Sequence, residues 1–352
     1  FPKKFARAKK TDLKGSRAVV PGFVDCHTHL VFAGDRSEEF AARCAGATYA
    51  EIAARGGGIL STVNATRATT DAELEKLALE RAREIASYGV RTIEAKSGYG
   101  LSAKDEIRCL KVIARVAKKL PELTIVPTFL GAHAIPKDRP RQDYMRDLID
   151  TMLPEIATKK LAQACDIFVD DGYFTVEEAR ELLLKARALR LKTKIHADEL
   201  GDTGSAALAA SLGCLSADHL LRISDDGVRK LASSDTVAVL LPGTAFYLKA
   251  EHAPARKLID AGAAVALSTD FNPGTCMCLS LPAIMTISAL YLKMSSAEIL
   301  AAVTYNGAKA LGLNARKGTL EEGMDADFAV LPFRKFEETF YRFGWSPALI
   351  GR

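Results

Sequence analysis

Several absences narrow this sequence before any motif is read. No apolar run reaches the roughly 18 to 20 residues that a membrane-spanning helix needs, and the longest, near Val237 to Leu248, is interrupted by Pro242 and Gly243. The seven cysteines are odd in number and form no Cys-x-x-Cys pair, a usage that suits a reducing compartment. Cys276 and Cys278 stand close together and read as packing residues rather than metal ligands. The glycine run Gly56 to Gly58 lacks the Gly-Lys-Ser/Thr ending of a phosphate-binding loop and reads as a flexible hinge. Neither an internal repeat nor a low-complexity tract is present. Charge is nearly balanced at +5. Its densest basic part, Lys3, Lys4, Arg7, Lys9, Lys10 and Lys14, reads as a solvated arm, so no nucleic-acid partner and no membrane partner are expected.

What is present is the composition of an ordinary soluble globular protein, with 48% apolar and 26% charged residues. At 352 residues the chain suits either two domains or one large α/β barrel. Short segments rich in β-branched residues recur at Val19 to Asp25, Val90 to Lys96, Thr124 to Leu130, Cys165 to Val169, Thr193 to Ala197, Leu215 to Asp218, Thr236 to Leu241 and Ala264 to Thr269. Stretches of helical periodicity separate most of them, which is the pattern of βα units. Thr70, Thr175 and Ser295 each stand three residues before a glutamate and mark helix starts. After Asp71, Leu74, Leu77, Leu79, Ala82 and Ile85 fall largely on one face and the pattern stops at Gly89. Eight such strands predict a (β/α)8 barrel, with an open doubly wound sheet as the alternative. The segment after Leu320 predicts one strand outside the eight. A division follows: an arm at 1–18, a barrel at 19–318 and a β segment at 319–352 that builds a small unit with the arm.

The polar residues are placed where strands end. His27 and His29 follow the first strand at the i, i+2 spacing that turns two side chains to one side. Tyr99 lies past the second strand, His133 past the third, His196 in the fifth, His219 after the sixth and Asp270 after the eighth. In an α/β barrel these ends share the face that carries active sites, so five of the six histidines converge there, and His252 reads as a surface residue. Taken singly, each has an ordinary reading: a wet pair at a strand end for His27 and His29, a satisfied core residue for His133 or His219, a helix N-terminal acid for Glu199. Together, His27, His29, His196 and Asp270 supply the donors that suit a borderline divalent metal, zinc or iron, one per chain. Such an ion lowers the pKa of its water from about 15.7 towards 7. Glu199, three residues beyond His196, is placed to move a proton.

The segments "PGFVDCHTHLVFAGDR", "GGGILSTV", "EAKSGYGL", "TFLGAHAIP", "HADE", "SADHL" and "STDFNPGT" resemble the amidohydrolase superfamily of metal-dependent hydrolases, nearly from Val20 to Gly344. Within it they are most similar to the enzymes of histidine degradation that open the ring of 4-imidazolone-5-propanoate to N-formimidoyl-glutamate. The resemblance implies metal ligands at His27, His29, His196 and Asp270 and catalytic roles for Glu199, His219 and Asp270. Some members of the superfamily hold two metals through a carboxylated lysine at the end of strand four; here that strand ends at Asp170 and Asp171 and Lys96 ends the second, so the resemblance implies one metal. It implies substrate contacts at Arg36, Tyr49, Tyr99, His133, Asn272, Gly274 and Thr275. Arg36 also has a rationale of its own, because a guanidinium fork grips a carboxylate with two bonds. Tyr99 and His133 are expected to add donors. A small-molecule substrate, a cytoplasmic homodimer and a small β-sandwich, incomplete here before Pro21-Gly22, are further expectations. Two other readings stand beside this one: a deaminase of a heterocyclic substrate in the same superfamily, and a catalytically silent scaffold.

Overall fold

The computed structural model describes residues 11–47, residue 51 and residues 57–347. Its strands are β1 (Val19–Pro21), β2 (Phe23–Asp25), β3 (Val90–Lys96), β4 (Thr124–Ala132), β5 (Ala164–Val169), β6 (Lys192–Ala197), β7 (Ser216–His219), β8 (Val237–Leu240), β9 (Val265–Leu267) and β10 (Phe328–Val330). Strands β2 to β9 lie in chain order in one parallel eight-stranded sheet. Its two ends meet beyond the last strand residues: Thr28 bridges Phe271, His29 N donates to Phe271 O at 2.9 Å and Asp270 N to His27 O at 3.1 Å. That junction makes the sheet a barrel and removes the open-sheet alternative.

The first predicted strand is corrected, because Val19 to Asp25 serves two sheets. Val19–Pro21 pairs antiparallel with β10, Val19 opposite Val330, while Phe23–Asp25 pairs with β3 in the barrel. Gly22 is the pivot. A Cβ there would lie 2.7 Å from Arg91 Cβ, so only glycine allows the chain to change sheets at this place. The predicted extra strand after Leu320 is β10.

The sheet is covered by helices whose apolar stripes were readable in sequence. In the helix Asp71–Ser87, Leu74, Ala82 and Ile85 are buried as predicted, together with Ala78. Leu77 and Leu79 are only partly buried. Thr175 with Glu178, and Ser295 with Glu298, close reciprocal capping boxes. At Thr70 the side chain accepts from Glu73 N. Inside the barrel, Val24, Cys26, Val126, Val237, Val239 and Ala266 form an apolar plug that the helix Tyr305–Lys309 closes with Ala308. Glu94 and Lys96 of β3, Asp166 of β5, Lys194 of β6 and Asp218 of β7 are charged and fully buried, and they form the floor of the site.

Candidate active site

A cavity of about 560 Å³ opens at the C-terminal ends of the strands. It is lined by His29, His196, His219 and Asp270 at its base, by Tyr99, His133 and Phe168 on one wall, and by Arg36, Asn272, Gly274 and Thr275 on another. His27 is fully buried just beneath. Every proposed site residue within the described part of the chain is therefore gathered at one mouth; Tyr49 and Gly56 lie outside the described residues. His252 stays apart, stacked on Tyr291 at 4.8 Å.

Two triads of donor atoms share His27. In one, donor atoms of His27, His29 and His196 lie within 4.8 Å of one another; in the other, those of His27, His219 and Asp270 do. Asp270 Oδ1 stands 3.5 Å from Nε2 of both His27 and His29. His27 Nε2, His29 Nδ1 and both ring nitrogens of His196 are buried without a hydrogen-bond partner among the described residues. Burial above all, and for His27 next the Lys96 ammonium, pushes His27, His29 and His219 well below the usual imidazole range, so their rings are neutral and offer lone pairs. Burial likewise raises Asp270 to about 7, against the bond it accepts from Thr244 Oγ1 at 2.5 Å. Orphaned buried imidazole nitrogens around a buried carboxylate are the donor set of a divalent metal, and the residues fit one.

The rest of the mouth is held by residues that sequence reading missed. Asp170, at the end of β5, accepts hydrogen bonds from the backbone of Glu199 (3.1 Å), Leu200 (2.7 Å) and Gly201 (3.0 Å). It thereby fixes the loop that brings Glu199 Oε1 to 3.5 Å from His219 Nδ1. Glu199 is thus a loop residue, and the ordinary alternative of a helix N-terminal acid falls away. Burial, with Asp270 and Asp170 adding to it, raises its pKa well above the carboxylate range. Glu106 Oε1 receives Gly100 N and Leu101 N at 2.8 Å each, which sets the loop bearing Tyr99. Arg81 lies 3.6 Å above the Phe32 ring and donates to the carbonyls of Leu30 and Phe32, pinning the segment that leads to Arg36.

The geometry refines the roles read from sequence for four of these residues. His133 Nδ1 faces Gly98 O at 3.1 Å, and a carbonyl only accepts, so Nδ1 carries the proton. Burial lowers this ring's pKa to about 3. The neutral ring thus shows the cavity an acceptor nitrogen where a donor was expected. Tyr99, raised by burial, stays a neutral phenol. Asn272 is spent within its own turn: Nδ2 donates to Asp270 O and Thr275 Oγ1, and Oδ1 accepts from Gly274 N and Thr275 N. Arg36 joins Glu39 through Nε at 2.8 Å, while its terminal nitrogens make no hydrogen bond to another described residue.

Beneath the histidines, His27 Nδ1 meets Asp218 Oδ2 at 2.6 Å. His196 Nδ1 lies 3.0 Å from Asp166 Oδ2. The signal was a charged residue at alternate positions of otherwise apolar strands, as in Glu94 and Lys96 or Lys194 and His196. His219 (φ 81°) and Asp270 (φ 49°) hold left-handed backbone, a strain that the barrel rim sustains at this site.

Histidines and a carboxylate converging on the C-terminal mouth of such a barrel define a metal-dependent hydrolase. The sequence matches the model of the amidohydrolase family over residues 18–343. It is 52% identical over 324 residues to an imidazolonepropionase of Symbiobacterium thermophilum, covering 91% of this chain and 76% of that one. To an imidazolonepropionase of Geobacillus kaustophilus it is 44% identical over 346 residues, 98% of this chain and 81% of that one. The chain belongs to the amidohydrolase family and, within it, to the imidazolonepropionases. The fold is also that of 5-methylcytosine deaminase from Klebsiella pneumoniae, with a TM-score of 0.73 at 18% identity over 96% of this chain and 87% of that one. A zinc-bound adenosine deaminase from Xanthomonas campestris gives 0.68 at 17% identity over 95% and 76%.

Proposed function

We propose that this chain hydrolyses the cyclic amide of 4-imidazolone-5-propanoate to N-formimidoyl-L-glutamate, a step of histidine degradation. The observation that carries the reading is one cavity with a cluster of buried histidines at its base and, on its wall, the guanidinium of Arg36, whose terminal nitrogens bond no other described residue. That arrangement matches a substrate with a carbonyl at one end and a carboxylate at the other. His27, His29, His196 and Asp270 would hold one divalent ion, zinc or iron. When bound, the ion supplies a Lewis acid that polarises the carbonyl and lowers the pKa of water.

The chain's own residues do the rest. Arg36 binds the propanoate, and its bond to Glu39 fixes the direction of the fork. His133 accepts a hydrogen bond from a ring N–H, and the Tyr99 phenol donates one. The cavity walls restrict water to the reacting face. Water adds to the ring carbonyl, and Asp270, with a pKa near neutrality, takes its proton. Neutral His219 donates to the developing oxyanion. The carbonyl C–N bond then breaks, the carbonyl carbon becomes the α-carboxylate, and Glu199, protonated by its burial, gives its proton to the departing ring nitrogen. No helix among the described residues is long and apolar enough to cross a membrane. The working form is proposed to be a cytoplasmic homodimer acting on this small molecule alone.

The test is direct: zinc- or iron-loaded protein is given 4-imidazolone-5-propanoate, and N-formimidoyl-glutamate is measured. Turnover is expected. Ammonia release from cytosine or guanine without opening of the imidazolone would replace this reading with that of a deaminase.

A further inference from the structure

The barrel floor holds five charged side chains that the reaction as derived never touches: Glu94, Lys96, Asp166, Lys194 and Asp218, all fully buried. Buried ion pairs add little stability over apolar side chains of the same volume, so stability does not account for them. Their connectivity does. Lys96 Nζ lies 2.6 Å from Asp166 Oδ2 and 3.9 Å from Asp218 Oδ2. Those same two oxygens face the metal-site histidines: Asp166 Oδ2 is 3.0 Å from His196 Nδ1, and Asp218 Oδ2 is 2.6 Å from His27 Nδ1. Only the His27 contact is aligned as a full hydrogen bond; the His196 ring packs against Asp166 at the same range without that alignment. Lys194 closes the floor from the other side, with Nζ 2.8 Å from Glu94 Oε1, 2.9 Å from Cys26 O and 3.5 Å from Asp218 Oδ2. The carbonyl of Cys26 belongs to the residue just before His27.

We propose that Lys96 is a positioning residue for the metal centre, a single ammonium that ties Asp166 and Asp218, and through them His196 and His27, into one unit. Two ligands from opposite sides of the barrel are thereby set together rather than independently. The geometry also removes Lys96 as a carboxylated ligand to a second metal. Its nitrogen is already enclosed by Asp166 and by Glu94 Oε2 at 2.8 Å, and a further carboxyl group there would face two carboxylates. Partners of this kind, one shell out from a ligand, orient the ring and present its far nitrogen.

The inference rests on the metal reading, and one experiment separates the two. Zinc affinity is measured by chelator competition for the wild type, Asp166→Asn, Asp218→Asn and the double variant. Each single change is expected to weaken binding by about 10- to 100-fold, and the double variant to fall short of the product by about threefold or more, because both act on one unit. In a Lys96→Met background the shortfall disappears. Cobalt(II) loaded into Lys96→Met gives a shifted visible spectrum, which a remote loss of stability does not produce. A wild type that takes up no zinc overturns the metal reading and this inference with it. A wild type that binds one zinc while the two changes multiply fully overturns the role of Lys96 alone. Should Lys96→Met fail to fold, the cycle in the wild-type background decides by itself.

Discussion

A Cβ placed on Gly274 would lie 2.2 Å from Nη1 of Arg36. The guanidinium reaches the cavity by passing across a residue without a side chain, and Arg43 Nη2 holds the same residue's carbonyl at 3.1 Å. Gly274→Ala therefore has to move Arg36 away from its present line. We expect kcat/KM for the imidazolone to fall on the order of 10-fold or more, mainly through KM, with metal content unchanged. Steady-state kinetics at wild-type values would show that Arg36 need not stand where it does.

Arg36→Met removes a charge-assisted bond to the propanoate worth roughly 1.5 to 3 kcal/mol, or about 10- to 150-fold in kcat/KM. An imidazolone without the carboxylate is hydrolysed poorly but about equally by variant and wild type. The bond to Glu39 makes the competing idea concrete, that Arg36 only braces its loop. In that case both compounds suffer alike, and the comparison of the two substrates tells the roles apart.

The histidine cluster predicts about one divalent ion per chain after reconstitution. Asp270→Ala deletes the proposed ligand and the proposed proton acceptor together, so activity is expected to vanish while the barrel still folds. Metal analysis giving two ions per chain, or near-normal turnover by the variant, contradicts the assignment.

Asp170 acts through Glu199 rather than on the substrate, because it holds three consecutive backbone N–H groups of that loop. Glu199→Gln and His219→Asn are expected to lower kcat by roughly 100-fold or more with metal content near wild type. Asp170→Ala lowers kcat through Glu199, so in the Glu199→Gln background it adds little. Full additivity of the two changes would refute the link.

Ser295→Ala opens the capping box that starts the helix Ser296–Ala302. Loss of the cap costs about 0.5 to 2 kcal/mol, read as a lower denaturation midpoint with kcat/KM unaltered. A stability equal to wild type would show that the cap is replaced by water at no cost.

The barrel was legible because parallel strands buried on both faces read as short apolar runs, and the helices that cover them read by their stripes and caps. One boundary failed for a physical reason. Val19 to Asp25 is apolar throughout, and no local property says that Gly22 hands it from one sheet to another. The convergence of His27, His29, His133, His196 and His219 was likewise visible, since each stands at a strand end. Asp170, Glu106 and Arg81 were not, because each is an ordinary polar residue locally, and its role exists only against a partner loop. His133 was assigned the wrong polarity for a similar reason: its proton is placed by the carbonyl of Gly98, 35 positions away.

By itself, then, the sequence determined what is periodic or local: the order of strands and helices, the closing count of eight, and the identity of the groups at the strand ends. Spacing of i and i+2 along a strand and of 3.6 along a helix is a property of the chain alone. The tertiary structure decided what depends on distance between remote segments. It set which nitrogens of His27 and His133 meet a partner, the spending of Asn272 on its own turn, the anchoring of Arg36 by Glu39, and the passage of one lysine between the carboxylates behind His27 and His196. Those are matters of angstroms in a medium of low dielectric, where a charge's effect is fixed by its neighbours, and the neighbours are chosen only when the barrel closes.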